Sequence, residues 1–307
     1  MNYYSLNTFL TKKFGYKVAK LSLDAGFTCP NRDGNLSYNG CVFCSEKGSG
    51  DFSNSPNETI TQQIKNQKKI IDKKWKNTKY IAYFQAFTNT YADCEYLKKV
   101  YYEALNAPDI CAIAIATRPD CLEDEVMALL SELAKKTYVW VELGLQTSNE
   151  ASARFINRGY NNDVFVNAVD RLRKANIDVV AHVILGLPYE TKWQIFDTVK
   201  WATSTDIQGI KLHLLHVLKN TSLEKIYENT PFQIPSMNEY INLVCEILKI
   251  IPKHVVIHRL TGDGPKKDLI APLWSGNKKL VLNALNNKII KENIQQGTKA
   301  IEKVSTI

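Results

Sequence analysis

The sequence predicts an α/β fold built on parallel strands. Short runs rich in Val, Ile, Leu and Tyr alternate with amphipathic helical patterns along the chain. Those runs are mostly apolar on both faces, the pattern of parallel strands covered by helices. The chain has 307 residues, 45% of them hydrophobic, which is enough for one large core.

The first strand is expected at 18–23, Val-Ala-Lys-Leu-Ser-Leu. A helix follows at 59–75, entered after Pro56 and capped by Thr59. Strand 80–84 leads to helix 93–105, which starts at a capping Asp93 and ends before Pro108. Strand 111–116, helix 123–136, strand 139–144 and helix 163–174 continue the alternation. Strand 179–185, helix 191–203, strand 210–215, helix 237–251 and strand 255–258 complete it. Each step from strand to parallel strand implies a right-handed crossover. No internal repeat or low-complexity linker interrupts residues 1–292, which read as one domain, and the polar stretch 293–307 reads as a loose tail.

No apolar stretch approaches the ~18 residues of a membrane span. The N-terminus, Met1-Asn-Tyr-Tyr-Ser-Leu, lacks the basic and apolar regions of a signal peptide, so the cytoplasm is the expected compartment. The net charge is +8. Lys65, Lys68, Lys69, Lys73, Lys74 and Lys76 cluster, but they spread around the predicted helix and form no single stripe. This suits solvated faces as well as a polyanionic partner.

Three of the seven cysteines, Cys29, Cys41 and Cys44, share one loop after the first strand with the spacing C-x11-C-x2-C. Three thiolates from one Gly-, Asn- and Asp-rich loop suit a metal site. A [4Fe–4S] cluster held by three cysteines keeps one iron open for a further ligand. A zinc site would need a fourth ligand, from Cys94, Cys111 or Cys121, none of which forms a second C-x2-C. An odd count without a signal peptide fits disulfides poorly. Cys94, Cys111, Cys121 and Cys245 read as small hydrophobes.

The cysteine loop, with Phe43 just before the last cysteine, resembles the radical SAM superfamily. The usual spacing there is C-x3-C-x2-C, and this loop carries eight more residues. Long spacings resemble the branch containing the Elongator catalytic subunit and a short bacterial subfamily close to it. Cys29-Pro-Asn-Arg-Asp-Gly34, Tyr83-Phe-Gln-Ala-Phe-Thr-Asn-Thr-Tyr91 and Ala116-Thr-Arg-Pro-Asp120 are similar to that subfamily. The strand pattern alone fits a doubly wound sheet as well as a barrel. The resemblance implies an open, partial (β/α)6 TIM-like barrel over about residues 15–220, with a C-terminal extension over about 221–292.

In such a barrel the chemistry sits at the C-terminal ends of the strands. Polar residues gather there: Gln85 and Asn89; Thr117, Arg118 and Asp120; Glu142 and Gln146; His182; Lys211 and His213. His216 is expected at the surface. The resemblance implies that S-adenosylmethionine (SAM) chelates the open iron. A glycine-rich motif normally follows the second strand, but here Gln85-Ala-Phe-Thr-Asn-Thr90 takes its place. Val141-Glu-Leu-Gly-Leu-Gln146 is similar to the fourth-strand motif of the Elongator and coproporphyrinogen dehydrogenase branches. Asn157-Arg158-Gly159 resembles the segment supplying an arginine to the SAM carboxylate. Val183-Ile-Leu-Gly-Leu-Pro188 resembles the motif that packs near adenine.

These likenesses imply Cys29, Cys41 and Cys44 as cluster ligands, and Phe43, Gln85, Asn89, Thr117, Glu142, Gln146, Arg158 and His182 as cofactor contacts. Lys211, His213, His258 and Arg259 lie by the expected barrel mouth as candidate substrate contacts. His258-Arg-Leu-Thr-Gly-Asp-Gly264 to Ala271-Pro-Leu-Trp274 resembles a closing segment, a lid over that mouth. The chemistry implied is reductive cleavage of SAM to a 5′-deoxyadenosyl radical, with electrons from a flavodoxin- or ferredoxin-like donor. Kinship with the Elongator branch implies a wobble uridine of tRNA as substrate. A small or porphyrin-like molecule is the alternative, and a zinc-binding, RNA-docking module without activity is a third reading.

Overall fold

The computed structural model describes residues 2–48, 55–262 and 264–300. Seven strands form one all-parallel sheet: β1 (Val18–Leu23), β2 (Lys79–Phe84), β3 (Ile110–Thr117), β4 (Tyr138–Gln146), β5 (Asp178–Leu185), β6 (Gly209–Leu214) and, past a short β7 (Val217–Leu218), β8 (Val256–Arg259). The sheet order is β1-β2-β3-β4-β5-β6-β8, and the sheet curls into a half-barrel. The fold class expected from the resemblance is thus the observed one, with β8 adding a seventh strand.

Strand alternation sorts the side chains onto two faces. Leu21 and Leu23 of β1, Phe84 of β2, Ile113 and Ile115 of β3, and Val139 and Val141 of β4 point to the outer helices and form the main core. The inward face carries Ile81, Tyr83, Ala112, Ala114, Trp140 and Val180, a second core inside the barrel. The crossover helices are α2 (Ile60–Ile71), α3 (Cys94–Leu105), α4 (Asp124–Ala134), α6 (Asn162–Lys174), α7 (Lys192–Ser204) and α9 (Met237–Ile250). Thr59 and Asp93 cap α2 and α3 through their side chains, as the sequence predicts. The lysine-rich end expected to continue α2 to residue 75 leaves the helix at Asp72 instead.

Four further helices frame the barrel: α1 (Leu6–Phe14), α5 (Glu150–Phe155), α8 (Ser222–Asn229) and α10 (Lys278–Lys291). The half-barrel leaves β1 and β8 as unpaired edges. Ser5 bridges to Ile257 of β8, and α1 packs against both β1 and β8. Leu10 of α1 then buries into the inner core, with Phe9 and Phe14 packed at its edge, so α1 closes the seam from inside. Ser5 caps α1, and Gly15 ends it with φ +75°, a conformation glycine takes without strain.

The polar stretch expected to hang loose is held as far as Ala300. Ile294 and Gln296 are buried. The Gln296 amide accepts from the Tyr4 backbone N–H at 2.8 Å and donates to the carbonyls of Pro252 and Val255 at 2.7 and 2.9 Å. It ties the chain end to both the N-terminus and the entry to β8. Residues 301–307 lie outside the described residues.

Candidate active site

A cavity opens at the C-terminal ends of β1 to β6. Cys29, Cys41 and Cys44 line it, together with Phe43, Gln85, Thr117, Glu142, Gln146, His182, His213 and Arg259. The fold therefore brings together eleven of the residues singled out in the sequence. Arg118, Tyr83, Tyr160, Arg32 and Phe87 complete the wall.

The cysteine loop is pinned from several sides. Asn31, almost fully buried, donates to the Cys41 Sγ at 3.5 Å and to the Asn157 carbonyl at 2.6 Å. Arg32 donates to the carbonyls of Cys44 and Ser45 at 2.8 and 2.6 Å. Gly40 adopts φ +68°, which glycine takes without strain, and a Cβ there would lie 3.0 Å from Arg32 Nε. Phe87, itself at φ +59°, donates its N–H to the Gly48 carbonyl at 2.8 Å. A Cβ on Gly48 would lie 2.3 Å from the Phe87 ring. The segment after β2 is thereby clamped onto the cysteine loop.

At the end of β4 the pairing with β5 shifts register between Gly144 and Gln146, and Gln146 takes φ +61°. Tyr160 donates to the Gly144 carbonyl at 2.5 Å and lies 3.2 Å from the Gln146 amide oxygen. A Cβ at Gly144 would sit 2.6 Å from the Gln146 side-chain nitrogen. Strained, non-glycine positive φ values at Phe87 and Gln146 thus both occur on the cavity wall, where backbone strain tends to be kept.

The floor is a charge network around Glu142, which is fully buried. Lys20 Nζ and Trp140 Nε1 reach its Oε1 at 3.0 Å each. Tyr83 donates to Oε2 at 2.7 Å, His182 Nε2 lies 3.0 Å away, and Lys211 Nζ also contacts Oε2. Burial pushes the carboxyl pKa up, but Lys20 and Lys211 override it and hold Glu142 well below the usual carboxylate range. Burial drives Lys211 well down; Glu142 opposes that, while Lys20 and Arg259 add to it. Burial, with Lys211 nearby, lowers His182 to about 4, so its imidazole is neutral. These groups alternate with outward apolar residues on β1, β4, β5 and β6, and all face inward.

Four of the expected contacts are placed away from the cavity wall. Asn89 is buried, and its amide donates to the Ala116 carbonyl at 2.7 Å, so it braces the turn after β2. Arg158 is 1% exposed. Its guanidinium donates to the carbonyls of Tyr160, Leu145 and Thr147 at 2.8, 3.1 and 2.7 Å. It clamps the loop after β4. The guanidinium on that side of the cavity is Arg118, paired with Asp120 at 2.7 Å. Lys211 is sealed beneath the cavity by Tyr83 and Glu142. His258 packs edge-on against Trp140 with ring centroids 5.9 Å apart, inside the barrel.

The expected closing segment is held here by strand pairing and one tryptophan hydrogen bond. β9 (Leu269–Ala271) pairs antiparallel with β7, and Trp274 Nε1 donates to the Pro235 carbonyl at 3.0 Å. Asp263 lies outside the described residues. His216, expected at the surface, is half-buried instead: a Cβ at Gly262 would lie 2.8 Å from its ring. Gly262 and Gly264, whose Cβ positions would lie 2.8 and 3.3 Å from that ring, seat the histidine. Cys245 is buried in the main apolar core, as a small hydrophobe is, whereas Cys121 is buried with its thiol 3.8 Å from the Asp120 carboxylate.

The donor set fits an iron–sulfur cluster. Burial, with the Cys44 thiol beside it, pushes Cys41 up to about 12. A thiol held that high becomes a thiolate only with a compensating cation beside it. Among the described residues, no three His, Cys, Asp or Glu side chains are grouped for a single metal ion. Three thiols lining one cavity with the polar strand ends match a cluster with one iron left for a further ligand.

A three-cysteine loop at the mouth of an open parallel barrel defines a class of cluster-dependent enzyme. The chain belongs to the radical SAM superfamily: the superfamily pattern matches residues 31–202, and the radical SAM C-terminal domain matches residues 207–291. Its cofactors are a [4Fe–4S] cluster and SAM. It is 47% identical over 295 residues to the uncharacterized protein YtqA of Bacillus subtilis, covering 96% of this chain and 92% of that one. It is 27% identical over 182 residues to Elongator complex protein 3 of Schizosaccharomyces pombe, covering 57% of this chain and 32% of that protein. The fold is similar to that of the archaeal Elp3 of Methanocaldococcus infernus, with a TM-score of 0.68 at 17% identity over 92% of this chain and 65% of that one. Among the described residues no helix is long and apolar enough to cross a membrane.

Proposed function

We propose that this radical SAM enzyme reshapes the C5 side chain of a wobble uridine in tRNA. The observation that carries the reading is the sequence kinship with Elongator complex protein 3, joined to a cavity that gathers the three cysteines and the polar strand ends. The net charge of +8 suits a polyphosphate partner. The bound cluster and SAM supply reductive cleavage that yields a 5′-deoxyadenosyl radical.

The chain's own share is placement. Cys29, Cys41 and Cys44 would hold the cluster, and Asn31 donates toward the Cys41 sulfur. Gln85, Thr117, Gln146 and His182 line the wall where SAM would be oriented, and Arg118 on that wall is a guanidinium that would pair with its carboxylate. Phe43 and Phe87 give that wall apolar surface, which would keep water from a bound cofactor. The buried Glu142 network keeps the floor rigid. A flavodoxin- or ferredoxin-like protein would supply the electron.

The test is nucleoside mass spectrometry of tRNA from a strain lacking the gene. One modified uridine is expected to disappear, with its precursor accumulating in its place. Purified protein is expected to bind tRNA with an affinity that falls as salt rises. A nucleoside profile identical to wild type, together with no tRNA binding at low salt, would overturn the proposal.

A further inference from the structure

Basic and aromatic side chains gather on a face that the cysteine cavity does not use. Helix α1 ends at Phe14, and residues 15–17 turn into the N-terminal end of β1. Helix α2 stops at Ile71, so Lys73, Lys74 and Lys76 leave it and fill the turn into β2. β1 and β2 are neighbours at the sheet edge, and Lys79 donates its backbone N–H to the Lys17 carbonyl at 3.0 Å. The two turns therefore lie side by side at the N-terminal ends of the strands, opposite the cavity.

Lys12, Lys13, Lys17, Lys73, Lys74 and Lys76 are all exposed. Six lysines against one carboxylate, Asp72, carry a net +5 of the chain's +8. Asp72 accepts from the Tyr80 hydroxyl, and the next carboxylate, Asp109, is held by Lys68 and Lys79 at 2.8 and 2.6 Å. Among the described residues, none of the six forms an ion pair. Lys13 Nζ lies 3.9 Å from the Tyr138 ring centroid and Lys17 Nζ 4.8 Å from that of Trp75. Trp75 and Tyr16 are 46% and 39% exposed among these lysines. Like charges gathered this way repel one another, and a polyanion removes that cost. Open rings set between phosphate-binding lysines take a base as well as its phosphate, which is the chemistry of RNA.

We propose that this face, at the β1–β2 edge opposite the cavity, binds the phosphate backbone of the RNA substrate at a distance from the nucleotide that reacts. The six residues of β1 separate the two places by about 20 Å, at ~3.3 Å per residue. A mononucleoside cannot touch both, whereas a folded RNA with its target base in the cavity can. The inference rests on the tRNA reading above and names where on the chain the salt-dependent part of the affinity arises.

The test is the binding of bulk tRNA to the cluster-loaded protein, read by fluorescence anisotropy across a salt series. One variant carries Lys12→Gln, Lys17→Gln, Lys74→Gln and Lys76→Gln. A control carries Lys200→Gln, Lys225→Gln, Lys279→Gln and Lys291→Gln, exposed lysines of α7, α8 and α10 with the same loss of charge. The first variant is expected to bind about tenfold or more weakly than wild type. Its slope of log affinity against log salt should shrink by about 3, since each lost phosphate contact removes about 0.7–0.9. The control should stay close to wild type. Trp75→Leu should weaken binding about fivefold with the slope unchanged, because a lost stack carries no counterion. Iron content and unfolding temperature should match wild type in all three variants, whose changed side chains lie at the surface. Equal losses in the first variant and the control would overturn the proposal and keep tRNA as the substrate. No tRNA binding by wild type at low salt would overturn it too. Polyglutamate bound as tightly as tRNA through the same four lysines would also overturn it and assign the face to an acidic protein. An unchanged nucleoside profile in the strain lacking the gene, with RNA binding that still needs the four lysines, keeps this face and rejects the wobble-uridine reading.

Discussion

Alanine at Cys29, Cys41 or Cys44 is expected to remove most of the iron and the brown colour of anaerobically purified protein. The three thiols line one cavity, and no fourth cysteine belongs to it. A cubane already held by only three protein ligands has no spare one to lose. Asn31 and Arg32 shape the loop through its backbone and one sulfur, so they cannot replace a missing thiolate. The loss should therefore be near complete in each single variant, while the fold persists on its separate apolar cores. Metal analysis with circular dichroism checks both halves. About four irons retained in the triple variant would contradict the assignment.

Glu142→Leu is expected to destabilise the fold by about 3–5 kcal/mol, because it leaves a buried cation without its partner. Lys211 is 4% exposed and has no route to solvent, whereas the half-buried Lys20 can swing its ammonium outward. The double variant Glu142→Leu, Lys211→Met should recover much of that loss, since removing both charges leaves an apolar contact of similar volume. The pH dependence has a defined sign. Glu142 is held below its unfolded value, so its contribution is present above a pH of about 4.3 and is lost as the pH falls through the folded value. The gap between wild type and Glu142→Leu should be full at neutral pH and shrink in acid. Urea unfolding of the three proteins measures it, and a single-variant loss below about 1 kcal/mol would show the network to be dispensable.

Much of this architecture was legible in the sequence. The parallel strands are short apolar runs whose outer residues meet the helices, and their ends fall within two residues of those expected. Glu142 stood out as a carboxylate inside such a run, and the structure gives the reason: it is the hub of the inward face. Helix α1 was not legible by periodicity, being nine residues long, although Ser5 before it and Gly15 after it were the available signals. The β7–β9 pair is too short to leave a pattern. Arg158 and Arg118 show the limit for side chains. Both follow strands in motif-like segments, and only the fold decides that one guanidinium is spent on the carbonyls of Leu145 and Thr147 while the other reaches the cavity. Lys211 and His258 were placed at the mouth from their strands alone. The depth at which each inward residue sits depends on register, which shifts at β4–β5 and β6–β8.

The central claim is that this cavity carries a cluster that cleaves SAM. The most direct measurement is chromatography of the products formed when the anaerobic, cluster-loaded protein is reduced with dithionite in the presence of SAM. The account predicts release of 5′-deoxyadenosine and methionine by wild type and none by the Cys29, Cys41, Cys44 triple-alanine variant. A fully loaded, fully reduced wild-type protein that forms no 5′-deoxyadenosine with or without tRNA would contradict it.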